Sequence, residues 1–427
     1  MRRDGIQAAT VGELRAPRAP AWLDAGRRAA LAEAWRALVV SRVLVWAAAA
    51  GAVAIWGLSA RARAFDPAGV TTPFGAVGDA LAAPLGRWDS VWYLAIAGDG
   101  YPGAAGPRTA FFPLYPMLVR AAGALVGSAL VGGALVSLAA FAVALYLLHR
   151  LTELELGAGP ARAAVRALAL SPMAFFWSAV YSESLFLMLS VGAVYAARTR
   201  RWAWAGAAGA LAAATRSAGV LLLVPLAVLW LAGRPGAERR VRDAAWLAVV
   251  PAGLAAFCAW LALRGGDGLA PFHAQDVWHR HVTWPFGAVR DGAVAAWDGA
   301  RQLLSGRRYP VYFTQAGGDP FSVARANLML FGFLLAAVPA VAGTLRRLPL
   351  AYGAYVVCAL ALPLSTPVGP QPLMSLPRFE LVLFPLFMWL GAWAYEGGPW
   401  RERAVLGVSA AGLVVFTALF ATWHWVA

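Results

Sequence analysis

Five short motifs carry the side chains able to do chemistry in an otherwise apolar chain: Arg87-Trp88-Asp89-Ser90, Phe111-Phe112-Pro113-Leu114-Tyr115-Pro116, Tyr181-Ser182-Glu183-Ser184, Thr215-Arg216-Ser217 and Pro377-Arg378-Phe379-Glu380. Charges near a lipid boundary are expensive, so they call for partners, ligands or a wet cavity. A cleft holding both carboxylates and guanidiniums suits a reaction between a nucleophilic hydroxyl and a donor whose leaving group is a phosphate. A carboxylate takes the proton, and arginines, here Arg87, Arg216 and Arg378, hold the phosphate. Asp89 is the first choice for the base. It lies between Trp88 and the pair Trp92-Tyr93, rings able to stack on a sugar and restrict water. The plainer alternative is that Asp89 pairs with Arg87 or caps a helix beginning at Ser90.

Each of the other candidates has a similar pair of readings. Glu183 is a second acid or an acceptor for a sugar hydroxyl, or else the cap of a span. Arg216 and Arg378 fall at span ends, where a lipid-linked phosphate would sit or where an arginine would snorkel to headgroups. Glu380 is placed to neutralise Arg378. Tyr115 and Tyr181 join the substrate-facing set through their motifs. A later stretch with His273, Gln275, Asp276, Trp278, His279, Arg280 and His281 invites a metal reading, but His279 and His281 lack helical i, i+4 spacing and no paired-acid motif accompanies them. Gln275, Trp278 and Arg280 fit contacts to carbohydrate or headgroup better, and no metal is expected. With 20 tryptophans, interfacial belts account for many of these rings without any substrate.

The elements that must position these groups follow from composition. The chain has 427 residues, 61% hydrophobic and 13% charged, with mean hydropathy +0.63, against about 25% charged in an ordinary soluble domain. Apolar runs of about 18 to 24 residues recur from Leu38 to Val426, each long enough to cross about 30 Å of hydrocarbon as helix. The net charge of +15 sits in short arginine clusters between these runs rather than on one basic stripe, which fits membrane orientation and not nucleic acid. All the basic residues counted are arginine. Cys258 and Cys358 both lie inside apolar runs, so no disulfide framework is expected.

The spacing predicts a cytoplasmic basic segment over residues 1–37, of which 20–36 would form an amphipathic surface helix. A membrane domain over 38–426 follows, with about eleven spans and outer loops at 60–127 and 264–324. The basic head is too long, and the run at 38–59 too extended, for an ordinary signal peptide. Positive-inside bookkeeping puts Arg150, Arg162, Arg198-Thr199-Arg200-Arg201, Arg234, Arg239, Arg240, Arg242, Arg346-Arg347, Arg401 and Arg403 on the inner side. Residues 110–127 read as a helix lying in the outer interface, since a full crossing would turn every later arginine cluster outward. With this threading the five motifs all face outward, although the bookkeeping did not require it. The fold class is therefore an all-α integral membrane bundle.

Taken together and in order, Arg87-Trp88-Asp89-Ser90-Val91-Trp92-Tyr93 with Gly100-Tyr101, Phe111-Phe112-Pro113-Leu114-Tyr115-Pro116, Tyr181-Ser182-Glu183-Ser184, Arg216-Ser217-Ala218-Gly219 and Pro377-Arg378-Phe379 resemble the PIG-V-like mannosyltransferases. These are relatives of the second mannosyltransferase of glycosylphosphatidylinositol synthesis. The resemblance covers about residues 38 to 396. It implies a GT-C fold and transfer of mannose from a polyprenyl- or dolichyl-phosphate donor on the non-cytoplasmic side. It also implies Asp89 as catalytic base of an inverting transfer, and neither nucleotide cofactor nor metal. The implied partners are the lipid-linked sugar donor, a glycolipid or glycan acceptor and membrane lipids. The implied location is the plasma membrane, with the active site facing outward. Where the anchor-building enzymes of the family have Asn after the Arg-Ser pair, this chain has Ala218. The competing class is a lipid or solute transporter, which would place its essential charge near the bilayer midplane in broken helices.

Overall fold

The structure, a computed structural model, describes residues 25–103, 106–232, 241–308 and 319–426. Of the described residues, 78% are in helix. Among the described residues there is no strand, and Arg280 and Val368 meet only as a single antiparallel bridge pair. Among the described residues four helices are long and apolar enough to cross a membrane, namely Ala25–Trp56, Ala129–Leu156, Pro320–Arg347 and Gly398–Ala421. A fifth crossing is available to the pair Arg242–Val249 and Ala252–Gly265, bent by 42°. The other expected crossings are shorter or interrupted helices, including Ser217–Leu231 and Leu350–Leu364.

The opening helix differs from its expectation. No Pro or Gly interrupts residues 27–50, so the helix continues from the basic stretch straight into the apolar one. Its 32 residues amount to about 48 Å. Residues 25–36 are thus its first turns rather than a separate surface helix, and residues 20–24 lie outside the described residues. Arg234, Arg239 and Arg240, expected on the inner side, lie outside them too. The segment expected to rest at the interface forms the helix Leu114–Val126. It turns at Gly127 (φ +80) into Ala129–Leu156. The two helices touch at glycines: a Cβ on Gly132 would stand 2.5 Å from the Gly123 nitrogen, so only hydrogen permits the contact.

The breaks matter more than the spans. Helix Ala158–Ala169 stops before Ser171-Pro172, where proline has no N–H to donate. The chain then runs through a buried 3-10 turn, Ala174–Trp177, to the helix Glu183–Arg198. Non-helical backbone at membrane depth survives only where protein satisfies its polar groups. Arg42, buried on the opening helix, does this: its Nη1 donates to the Ala174 carbonyl at 2.9 Å and the Ser178 hydroxyl at 2.6 Å, and Nη2 to the Ala169 carbonyl at 3.4 Å. Two further breaks lie between Trp202–Thr215 and the 3-10 turn Ser217–Leu222, and between Leu376–Leu381 and Phe384–Glu396. The three breaks fall at one end of the bundle. The other end is tied by Arg166 to Glu33 (2.6 Å) and Glu402 (3.1 Å), by Arg198 to Glu155, and by Arg347 to Glu396 (2.8 Å).

Candidate active site

At the end where the helices break, four charged side chains from four separate segments form one chain of alternating sign. Asp89 Oδ2 accepts from Arg378 Nη1 at 2.5 Å. Arg378 Nε donates to Glu183 Oε1, and the same oxygen accepts from Arg216 Nη1 at 2.5 Å. Glu183 is fully buried and Arg378 is 7% exposed. Two carboxylates removed from water are tolerated here because each meets a guanidinium in charge-assisted hydrogen bonds. Glu183 Oε2 is buried without a partner.

Asp89 stands at the N-cap position of helix Ser90–Asp99, yet its side chain makes no capping bond. It does not pair with Arg87 either. Both plainer readings of this residue therefore give way to the contact with Arg378. The backbone of Asp89 is held by Tyr181, whose hydroxyl accepts from the Asp89 N–H at 3.0 Å and donates to the Arg87 carbonyl at 3.2 Å. The same tyrosine ring lies 4.7 Å from the Arg378 guanidinium, with Phe176 at 5.6 Å from it. Among the described residues Asp89 Oδ1 has no hydrogen-bond partner.

A third arginine completes the cluster from the large loop. Arg280 and Arg216 each lie 5.7 Å from the Phe379 ring. Among the described residues the acceptors of Arg280 are the carbonyls of Thr366 at 3.3 Å and Met374 at 3.5 Å, with no carboxylate. Burial pushes its guanidinium down to about 10, the nearby positive charge of Arg378 adds to the lowering, and Asp89 opposes it. The five groups thus hold three cations against two anions. Loop 264–324 reaches the site because it is zipped to the segment after Leu350–Leu364: His281 N–H donates to Pro367 and Thr283 N–H to Ser365.

Beside Asp89 stands an aromatic wall. Trp92 stacks on Phe111 at 5.9 Å, and Trp278 meets the edge of Phe111 at 6.0 Å. Tyr93 packs on Phe111 and donates to Ser182 Oγ at 2.8 Å. Trp92 and Trp278 are half-buried.

Several expected site residues are placed elsewhere. Arg87, 1% exposed, sends Nε to the Ala421 carbonyl at 3.0 Å and Nη1 to that of Gly86, and its nearby carboxylates are Asp79 and Asp66 rather than Asp89. It serves the carbonyl end of helix Gly398–Ala421, where a cation is favoured. The Trp88 ring is buried among other rings and offers no face to a sugar. Tyr115 is fully buried, its hydroxyl held by Ser137 and the Gly133 carbonyl. Gln275 bonds within its own turn, to Pro271. Glu380 does not neutralise Arg378: residues two apart on a helix point about 200° apart, and Glu380 Oε1 is buried without a partner. Among the described residues no three His, Cys, Asp or Glu side chains are grouped to hold a metal ion. Sequence reasoning assigned no role to Phe111, Phe176 or Arg42. Arg42 carried a signal, a lone charge inside an apolar run.

The family model described as mannosyltransferase (PIG-V) matches residues 36–230. No curated protein matches the chain. Among solved structures the chain is similar to the oligosaccharyltransferase of Archaeoglobus fulgidus. One is its complex with zinc and sulfate (14% identity, TM-score 0.45, covering 79% of this chain and 48% of that one). A second is the same organism's AglB with an inhibitory peptide and a dolichol-phosphate (13%, 0.46, 92% and 56%), and a third is the apo form (15%, 0.46, 92% and 56%). The chain spans about half the length of those proteins. The stretch that the family model matches, residues 36–230, carries Asp89, Glu183 and Arg216, whereas Arg280 and Arg378 lie beyond it.

Proposed function

We propose that this protein is an integral-membrane glycosyltransferase that moves mannose from a polyprenyl phosphate to a hydroxyl of a glycolipid or glycan at the outer face. The observation that carries the reading is the surplus cation beside a carboxylate that still has a free oxygen. Among the described residues Arg280 has no anionic hydrogen-bond partner, and it lies within electrostatic reach of both Arg378 and Asp89. A phosphate ester fits that surplus, and an acceptor O–H fits Asp89 Oδ1.

In this scheme the acceptor oxygen bonds to the anomeric carbon as its proton passes to Asp89. The bond from that carbon to the phosphate oxygen breaks, and the electron pair leaves with the polyprenyl phosphate. Attack opposite the leaving group inverts the anomer. Arg280, Arg216 and Arg378 stabilise the charge that gathers on the departing phosphate. As Arg378 turns part of its hydrogen bonding to phosphate, its hold on Asp89 weakens and the carboxylate becomes the stronger base. Trp92 and Trp278, both half-buried, supply apolar faces for sugar rings, with Phe111 packed behind them. The positive-inside reading of the sequence, with the arginine-rich helix ends inside, supports an outward-facing site in a plasma membrane.

The test is incubation of the purified protein with radiolabelled polyprenyl-phosphate mannose and a lipid extract of the source cells, with Asp89→Asn in parallel. Label is expected in a new product with the unmodified protein alone. A near-normal rate with Asp89→Asn removes Asp89 as the base. No product from the unmodified protein, despite demonstrated donor binding, removes this donor–acceptor reading.

A further inference from the structure

The residue before the candidate base is held by the far end of the chain. Trp88 has φ 53, a left-handed backbone that a bulky side chain adopts only under constraint. The constraint is a box of rings. Phe65 meets Trp88 edge-on at 4.7 Å, Trp425 edge-on at 5.2 Å, and Trp423 at 5.5 Å. Arg87, one residue earlier, is fixed to the same region through the Ala421 carbonyl and lies 5.7 Å from the Trp423 ring. The Ser59 N–H donates to the Thr422 carbonyl at 3.2 Å, which ties the end of the first apolar run to the same turn. Trp423 and Val426 are nearly fully buried, whereas Trp425 is half-buried and among the described residues meets the ring of Trp88 alone.

We infer that residues 421–426 are a positioning element of the candidate active site, holding Arg87-Trp88 so that Asp89 meets Arg378. None of these residues lies in the matched stretch 36–230. The physical reason is that Asp89 has no capping bond to fix it. Its direction depends on the backbone just before it, which Tyr181 holds from one side and the tryptophan box from the other. A shift of about 1 Å in a catalytic group costs on the order of a hundredfold in rate, so the box bears on turnover more than on donor affinity. The inference rests on the proposed glycosyl transfer for its kinetic half and on geometry alone for the rest.

The experiment compares unmodified protein, Trp425→Ala and Trp425→Phe in lipid nanodiscs, by transfer kinetics and by hydrogen exchange of the backbone amides of residues 85–93. Trp425→Ala is expected to lower kcat about tenfold or more with donor KM held within about twofold, and to speed exchange in 85–93. Trp425→Phe, which keeps a ring against Trp88, is expected to recover most of both. Unchanged exchange in Trp425→Ala overturns the inference whether or not the protein transfers sugar. Unchanged kcat beside faster exchange overturns it as well, since the loop then moves without consequence for turnover. An inactive unmodified protein counts against the transferase reading alone, and exchange then decides whether the tail holds the loop.

Discussion

One guanidinium, that of Arg378, bridges the carboxylates of Asp89 and Glu183, which lie 289 and 195 residues earlier in the chain. Its Nη1 and Nε serve the two acids separately, a geometry that needs the planar fork of arginine. The candidate base and the innermost acid are therefore not independent: whatever moves Arg378 changes the surroundings of both.

Arg378→Lys keeps the charge and loses the fork. The ammonium reaches one carboxylate at a time, so kcat/KM for transfer is expected to fall by about a hundredfold. Steady-state kinetics of the two proteins decide it. Near-equal rates mean that charge alone suffices and the bridge is not needed.

Glu183→Gln removes the anion shared by Arg216 and Arg378 and leaves both guanidiniums undercompensated at a buried site. The expected cost is about 3 kcal/mol, read as a lowered unfolding midpoint in denaturant, with activity lost as well. An unchanged midpoint means that Asp89 and the surrounding rings suffice to hold the arginines.

Arg280→Ala is expected to raise donor KM about tenfold, the loss of about 1.4 kcal/mol of phosphate binding, with kcat altered less. Binding of unlabelled polyprenyl phosphate, followed by calorimetry, should weaken in step. A fall in kcat at constant KM would instead place Arg280 in stabilising the transition state alone.

Arg42→Met removes donors from carbonyls at the break that precedes Glu183. Leaving buried acceptors unsatisfied costs about 2 kcal/mol, so the unfolding midpoint should drop. Because the break delivers Tyr181 and Glu183, turnover should fall too. A variant as stable as the unmodified protein shows that water or local backbone satisfies the segment.

What the sequence determined by itself are its local properties. Run length and composition suffice for a helical membrane protein, because apolar helices must match the thickness of hydrocarbon. Arg216, Arg378, Glu183 and Asp89 were singled out because charges within apolar surroundings are costly and therefore purposeful. The directions in which these side chains point were decided only by the tertiary structure. Asp89 had two local partners in view, Arg87 and the helix it precedes, and it takes neither, because the break after Leu376–Leu381 presents Arg378 to it. Arg87 goes instead to a carbonyl 334 residues away. Arg280, which its loop suits to contact carbohydrate or headgroup, stands beside Arg378 and Asp89 as the surplus cation of the site through its bridge pairing with Val368. A residue's type and spacing state what it is able to do; the end of the helix it must meet, hundreds of residues distant, decides whether it does so.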